Sequence, residues 1–336
     1  MPTATYKFTG MDNVADPANV GAPDPNSRAL IFTEVVRLAN VDPTDTGGVS
    51  LRPGREASLL TPGIHSGWSN PYAPKEGYFV NGTLLNRINA DGTITTVRFD
   101  MIPGREVVYC QVNDVTVYSN GLQFGIIEDG LDTPPYTPSG AYKQRMVAGK
   151  HLAYLNGRLY ALMDNYLGKP CALVCSDTLD TAGWLESMDV RENIVASFDG
   201  EGSMVARIEA EAGSGLFVSS TIETFWLGMR DAVLDGGFTA QVSVAPYPAI
   251  PGTVLPIKAD LLGIKGLTGN CAIWASARGV CLGAAGGFFM NLTDEKVSYP
   301  SGARGAAMLR EHRGQVHYVF AIQGEDGAYN EYEAQL

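Results

Sequence analysis

The sequence contains no long apolar run and few charged residues. No segment approaches the ~20 consecutive apolar residues that a membrane-spanning helix needs, so we expect no membrane insertion. Residues 1–10 include one lysine and no apolar stretch, so they do not resemble a secretory signal, and we expect assembly in a cytoplasm. Charged residues make up 18% of the chain and hydrophobic residues 45%. This composition favours a packed core over disorder.

Basic residues are also scarce. The 24 lysines and arginines are outnumbered by 36 aspartates and glutamates, which gives a formal net charge of -12. A chain of this charge repels the phosphates of nucleic acid and an anionic membrane surface. We therefore expect no sequence-specific binding to nucleic acid.

Cysteine and histidine are too few and too scattered to predict a metal site. The five cysteines lie in apolar runs, which predicts buried, reduced thiols: Cys110, Cys171, Cys175, Cys271 and Cys281. Cys171 and Cys175 lack the two further ligands that a zinc site requires. The four histidines fall in different parts of the pattern, and we interpret them as structural or solvated: His65, His151, His312 and His317. We predict no metal and no cofactor.

Common catalytic motifs are absent. The sequence has no nucleophile elbow, no zinc-protease motif, no phosphate-binding loop and no dinucleotide fingerprint. Residues 176–184 resemble the Asp-box turn of sialidase propellers, with altered spacing and a single copy, and residues 42–47 lack the ligand pattern of a calcium loop. A glycosidase needs two placed carboxylates, which sequence alone does not identify. From these absences we predict no catalytic residue and a protein that is not an enzyme.

No amphipathic helix of a dozen residues is present, and short β-rich runs alternate instead with glycine turns. Strands are predicted at 78–80, 83–88 and 93–99, joined by Asn81-Gly82 and Asp91-Gly92, pairs that suit type I′ hairpins. The scheme repeats over 105–127 with Asn113-Asp114 and Asn120-Gly121, and over 151–163 with Asn156-Gly157. Later strands follow less regularly, at 194–198, 204–210, 215–220, 224–228, 271–276, 280–283, 287–292, 306–309 and 316–322.

The spacing of these hairpins predicts an all-β fold. Asn81 to Asn113 spans 32 positions and Asn113 to Asn156 spans 43, close to the ~40–50 residues of a four-stranded propeller blade. We predict a β-propeller of six or seven blades, with a tandem β-sandwich as the alternative. Segment 31–39 is predicted as a strand, and the proline-rich segments 132–140 and 245–258 as long surface loops, because proline removes a ladder donor.

The first 28 residues differ from the rest. They contain several prolines and few large aliphatic residues, which is typical of an extended arm lying on another surface. We therefore divide the chain into an N-terminal arm, 1–28, and a propeller domain, 29–336.

Several short motifs resemble a family of tailed-bacteriophage virion proteins, the β-propeller tail components of the hub or nozzle type. Near the start these are residues 8–14, 37–42 and 47–54. Further on they are Asn156-Gly157-Arg158-Leu159-Tyr160, residues 274–283 (WASARGVCLG) and Asn291-Leu292-Thr293. These residues also have predicted structural roles. Gly157 supplies positive φ to a hairpin turn, and the flanking Leu159 and Tyr160 fill the space between blades.

The resemblance implies a mechanical role in a virion. Several copies would form a homo-oligomeric ring in the tail hub, nozzle or head-to-tail connector, with DNA passing through it and other tail or connector proteins as partners. The arm 1–28 would order by docking on a neighbouring subunit. The alternative is a receptor- or carbohydrate-binding propeller, in which exposed aromatic residues stack on sugars: Trp68, Tyr72, Tyr136 and Trp184.

Overall fold

The structure is a computed structural model. It describes residues 64–69, 77–113, 115–128, 131–133, 148–176, 194–211, 213–229, 238–293, 297–300, 304–312, 315–324 and 329–336, and four short strands before them. These are β1 (Gly10–Met11), β2 (Glu34–Val35), β3 (Val41–Pro43) and β4 (Val49–Leu51). β1 pairs with β2 in parallel, and β3 pairs with β4 antiparallel. The rest of the predicted arm lies outside the described residues.

The remaining strands form a six-bladed β-propeller, which confirms the predicted fold class and sets the blade number at six. Blade 1 contains β5 (Ile64–Ser69), β6 (Gly77–Asn81), β7 (Leu84–Ile88) and β8 (Ile94–Arg98). Blade 2 contains β9 (Val108–Val112), β10 (Val115–Ser119), β11 (Phe124–Glu128) and β12 (Leu131–Thr133). Blade 3 contains β13 (His151–Leu155), β14 (Arg158–Tyr166), β15 (Lys169–Cys175) and β16 (Ile194–Phe198).

The second half of the ring has two four-stranded blades and one blade with three described strands. Blade 4 contains β17 (Gly202–Ile208), β18 (Gly215–Ser220), β19 (Thr224–Met229) and β20 (Phe238–Ala245). Blade 5 contains β21 (Leu255–Lys258), β22 (Asn270–Ser276), β23 (Gly279–Ala284) and β24 (Phe288–Asn291). Blade 6 has three described strands, β25 (Gly305–His312), β26 (Gln315–Gln323) and β27 (Tyr329–Gln335). Two 3₁₀ turns, Ala259–Leu261 and Ala285–Gly287, complete the described elements.

Each blade is an antiparallel meander whose first strand lies nearest the axis. β13 contacts β9 on one side and β17 on the other, so the first strands of blades 2, 3 and 4 stand side by side. We call the side of the propeller on which these first strands begin the entry face. It carries the connections between blades and the turns between second and third strands, whereas the opposite face carries the turns between first and second strands.

Alternation of side chains along the strands fills the spaces between blades. Leu159 and Tyr160 are neighbours on β14, and they enter the apolar clusters on opposite sides of blade 3. This arrangement follows from the two-residue period of a strand. It confirms the interpretation of these two residues as fillers between blades.

Five of the six seams between adjacent blades are filled by apolar side chains. Each cluster draws on both blades of its seam. Representative pairs, from the seam between blades 1 and 2 to that between blades 5 and 6, are Val80 with Tyr118, Val117 with Leu159, Leu162 with Leu216, Phe217 with Trp274, and Ile273 with Phe320. Each of these ten side chains is buried.

The seam between blades 6 and 1 differs. Because Tyr318 and Phe320 pack toward blade 5, the alternate residues of blade 6 face the other way. On that face Met308 is 56% exposed, and His317 Nδ1 lies 2.8 Å from Glu333 Oε1. Arg310 donates to the same carboxylate. Among the described residues, no apolar cluster fills this seam.

The turns fall at the predicted positions, but both turns of blade 1 differ from the predicted type I′, since at Asp91-Gly92 only Gly92 has positive φ, 84°. At Asn156-Gly157 both φ values are positive, 50° and 72°, as a type I′ turn requires. At the first hairpin, Asn81 pairs with Leu84, so the loop is Gly82-Thr83 rather than Asn81-Gly82. Only Gly82 has positive φ there, 61°, which is the φ pattern of a type II′ turn.

The prediction of a surface loop over 245–258 is wrong. Tyr247 and Ile250 are buried, and Leu255–Lys258 forms β21, the first strand of blade 5. Pro256 is tolerated because β21 pairs only with β22 and has an unpaired side, where a missing N–H breaks no ladder bond. Segment 132–140 lies outside the described residues after Thr133. The predicted strand over 31–39 is described only at Glu34–Val35.

Candidate functional site

Charged and polar side chains from four blades come together on the entry face near the axis. His65 and Ser66 belong to β5, Glu106 precedes β9, Lys150 precedes β13 and Arg304 precedes β25. Electrostatic interactions join Glu106 to both Arg304 and Lys150, and His65 to Arg304. We call these five residues the axial cluster.

Ser66 connects blades 1 and 2 within this cluster. The Val107 N–H donates to Ser66 Oγ at 2.8 Å, and Ser66 Oγ lies 2.8 Å from His65 Nδ1. Ser66 has a φ of 56°, a left-handed conformation that costs a residue other than glycine about 1 kcal/mol or more. The backbone is thus strained at the point that holds the imidazole beside blade 2.

His65 is neutral near pH 7. Burial lowers the pKa of His65, and the positive charge of Arg304 lowers it further. When the Ser66 hydroxyl donates to Nδ1, the imidazole carries its proton on Nε2. His65 Nε2 is buried and has no hydrogen-bond partner within the described part of the chain.

Glu106 is the acid of the axial cluster. Burial raises the pKa of Glu106, and the charges of Arg304 and Lys150 oppose this rise. No hydrogen bond or ion pair of its carboxyl is found among the described residues. Gly252 packs against it, since a Cβ at that glycine would lie 3.0 Å from Glu106 Oε1 and 2.1 Å from the Gly305 carbonyl oxygen.

The two cations of the axial cluster, Lys150 and Arg304, each have a partner. Lys150 Nζ lies 3.0 Å from Asp164 Oδ2 and 3.4 Å from Glu201 Oε2, and the Gly202 N–H donates to Asp164 Oδ1 at 2.7 Å. These contacts join blade 3 to blade 4. Arg304 is exposed, and its Nη1 donates to the Gly104 carbonyl oxygen at 3.2 Å.

His151 lies in the same seam between blades 3 and 4 and is 7% exposed. Burial, helped by the charge of Lys150, lowers its pKa to about 4. Its Nε2 has no partner among the described residues. His151 is therefore a buried neutral imidazole, in agreement with a structural role.

An open cleft of about 450 Å³ lies on the opposite face, among the turns of blades 2, 3 and 4. Its polar groups bond to one another. Tyr154 Oη and Asn113 Oδ1 are 3.1 Å apart, Arg207 Nη1 donates to the Tyr154 carbonyl oxygen at 3.0 Å, and Gln111 Nε2 donates to the Asn113 carbonyl oxygen at 2.8 Å. Glu209 also lines the cleft.

The predictions for single residues have mixed outcomes. All five cysteines are buried and free, as predicted, and burial raises the pKa of Cys110 and Cys171 to about 12. Trp68 is half-buried in a stack with Tyr78 and Tyr109, at centroid distances of 5.9 Å and 5.5 Å. The other three aromatic candidates lie outside the described residues: Tyr72, Tyr136 and Trp184. So do the side chain of His312 and most of segments 42–47 and 176–184.

Sequence reasoning did not find the axial cluster. Its members come from positions far apart, as in the bond between Val107 and Ser66, 41 residues apart, and that between Arg304 and Gly104, 200 residues apart. No local motif marks them. Among the described residues, no group of three His, Cys, Asp or Glu side chains could hold a metal ion, and no helix is long and apolar enough to cross a membrane.

No family model and no curated protein matches the chain. Among solved structures, it is similar to a gluconolactonase from Xanthomonas campestris, with 13% identity and a TM-score of 0.46, over 81% of this chain and 86% of that one. A second protein assigned to the gluconolactonases has 12% identity and a TM-score of 0.44, over 81% and 89%. The WD40 β-propeller domain of Doa1 has 7% identity and a TM-score of 0.40, over 78% and 79%.

These similarities concern the propeller fold, and at such identities they assign no activity. They do correct one prediction. We predicted from absent motifs that the protein is not an enzyme, and this prediction is corrected, because two of the similar structures are gluconolactonases and the propeller fold therefore does not exclude an enzyme. Missing local motifs do not exclude an active site on a propeller, because such a site is assembled from several blades, as the axial cluster is.

Proposed function

We propose that this chain is a structural subunit of a tailed-bacteriophage virion, in the tail hub, nozzle or head-to-tail connector, and that several copies form a ring through which DNA passes. The observation that carries the proposal is the resemblance of its short motifs to those virion propellers, together with the positions that the motif residues occupy. They lie where a blade requires particular residue types.

The motif of blade 3 braces a hairpin. Asn156 and Gly157 form the type I′ turn, and the buried Arg158 donates through Nη1 to the Ser176 carbonyl oxygen at 2.7 Å. Ser176 Oγ also accepts the N–H of Leu159 at 3.0 Å. The two residues that follow the turn, Arg158 and Leu159, are thus both hydrogen-bonded to Ser176, which comes directly after the third strand of the blade.

The motif residues of blade 5 pack in and beside the seam between blades 4 and 5. Trp274 is buried between blades 4 and 5, with ring centroids 5.5 Å from Phe217 and 6.0 Å from Phe289. Gly279 has a φ of 128°, and a Cβ there would lie 2.0 Å from Thr293 Oγ1. Asn291 Nδ2 donates to the Arg278 carbonyl oxygen at 2.8 Å. The spaced motifs 274–283 and 291–293 are therefore one packed unit.

The outer surface offers a place for contact between copies. Phe288 and Met290 alternate on β24, the outermost strand of blade 5, and both are exposed. Two large apolar side chains on one face of an outer strand suit a lateral protein contact. The acidic chain also suits a ring around DNA, because a negative surface does not hold passing phosphates.

Ring assembly can be tested both in purified virions and with the purified protein. We expect the chain in purified virions at a fixed multiple of the particle number, by quantitative mass spectrometry, and a ring-sized mass for the pure protein by mass photometry. The double variant Phe288→Glu/Met290→Glu should shift the ring to monomers, whereas Thr239→Glu, an exposed position on β20, should not. A stable monomer that is absent from virions would overturn the proposal.

A further inference from the structure

Beyond any role in a virion, the axial cluster has the character of a binding site, because within the described structure no hydrogen bond or ion pair links the Glu106 carboxylate to Arg304 or Lys150. Glu106 and Arg304 interact electrostatically, yet no ion pair within 4 Å joins them in the described structure. The Arg304 guanidinium uses one N–H, toward Gly104. Leaving a largely buried polar group without a partner costs about 1–3 kcal/mol. Glu106 is half-buried and Arg304 is exposed, so both can contact a ligand's polar atoms.

The charges of the cluster select the kind of polar atom. A free anion would meet the Glu106 carboxylate, and a free cation would meet Arg304 and Lys150. A hydroxyl group is neutral and both donates and accepts, so it can donate to Glu106 while accepting from Arg304 or from His65 Nε2. Neighbouring hydroxyls on one ligand would satisfy all three residues at once.

An aromatic surface lies beside the polar groups. Across a bulge in β5, His65 and Trp68 lie opposite Val80 and Tyr78, which are alternate residues of β6 in the apolar cluster between blades 1 and 2. The Tyr109 ring stacks on Trp68 in the same seam. Trp68 is half-buried, and Tyr109 Oη is buried with no partner among the described residues. An aromatic ring packs against apolar C–H groups, and a buried phenol adds one more partner for a hydroxyl.

We propose that the axial cluster binds a saccharide, whose hydroxyls bridge Glu106 to Arg304 and His65 and whose ring packs toward Trp68. The strained Ser66 is consistent with this, since backbone strain collects at ligand sites and here holds the imidazole in place. The cleft on the opposite face is the weaker candidate, because its polar groups bond mainly to each other.

The test uses the purified full chain and a panel of probes: glucose, galactose, N-acetylglucosamine, rhamnose and their common disaccharides, each at millimolar concentration. Saturation-transfer NMR should detect binding of at least one probe, and calorimetry then gives its dissociation constant. Glu106→Gln should weaken binding at least about tenfold, because a hydrogen bond to a charged acceptor becomes one to a neutral amide. Arg304→Gln should have a similar effect.

Glu209→Gln is the matched control, because it makes the same chemical change in the cleft on the opposite face. Circular dichroism and the melting temperature establish that each variant folds. If no probe binds the folded protein, or if Glu209→Gln weakens binding while Glu106→Gln does not, the saccharide site at the axial cluster is wrong.

Discussion

The seam between blades 4 and 5 and the face of blade 6 that points toward blade 1 contain different kinds of side chain. The first is packed with aromatic rings, with Phe217 and Trp226 at 4.7 Å and Trp274 beside them. On the second, the described face of blade 6 carries a buried ion-paired group, Arg310, Glu333 and His317, beside exposed Met308. Apolar packing tolerates changes of pH and salt, whereas the ion pairs within blade 6 depend on both.

The largest effect should come from the aromatic seam. Trp274 is 1% exposed, so Trp274→Ala removes a buried indole and leaves a cavity. We expect a loss of about 4 kcal/mol in the free energy of unfolding, measured by urea denaturation. Met308→Ala on the other seam is the control, and its effect should stay within about 0.5 kcal/mol. Equal losses would show that the two seams do not differ in packing.

Glu333→Ala breaks the polar group of blade 6. The Glu333 side chain is 6% exposed and His317 is 2% exposed, so the variant removes a buried carboxylate that contacts both the imidazole and the Arg310 guanidinium. We expect a loss of about 3 kcal/mol, again from urea denaturation. Raised salt should reduce the stability of the native protein more than that of this variant. A loss below that of Met308→Ala would mean that the ion-paired group does not stabilise blade 6.

His151 makes the seam between blades 3 and 4 sensitive to acid. Its pKa falls from 6.5 in the unfolded chain to about 4 in the fold, so its contribution is complete above pH 6.5 and is lost as the pH falls toward 4. The loss should reach roughly 3 kcal/mol, at 1.36 kcal/mol for each pH unit between the two pKa values. His151→Gln should remove this part of the pH dependence, and parallel profiles for the two proteins would contradict the assignment.

The smallest effect is expected at Glu106. Because its pKa is raised in the fold, its contribution to stability is present below the unfolded pKa and is lost as the pH rises through the folded pKa. Glu106→Gln should therefore match the native protein near pH 4 and exceed its stability at pH 7 by about 0.5 kcal/mol, measured from melting curves. A variant less stable at pH 7 would assign Glu106 a structural role.

The sequence predicts the hairpins better than the ring. Asn156-Gly157 and the strands around it follow from local turn chemistry and alternation, which need no distant contact. Pro256 misleads the same reasoning, because it lies in a strand with one unpaired side, and the local sequence does not show which strand of a blade is unpaired. Nothing in the local sequence of His65, Glu106 or Arg304 indicates that they meet at the axis, since their proximity is a product of ring closure.

The position of Arg304 has a consequence for the ring as a whole. It begins blade 6, yet it donates to Gly104, in the connection between blades 1 and 2, so it crosses the one seam without a described apolar filling. A molecule bound between Glu106, which precedes blade 2, and Arg304, which begins blade 6, would link the chain segments on the two sides of that seam. Its binding free energy would then be coupled to ring closure, and occupancy would protect the amides of blades 6 and 1 from hydrogen exchange more than those of blades 3 to 5.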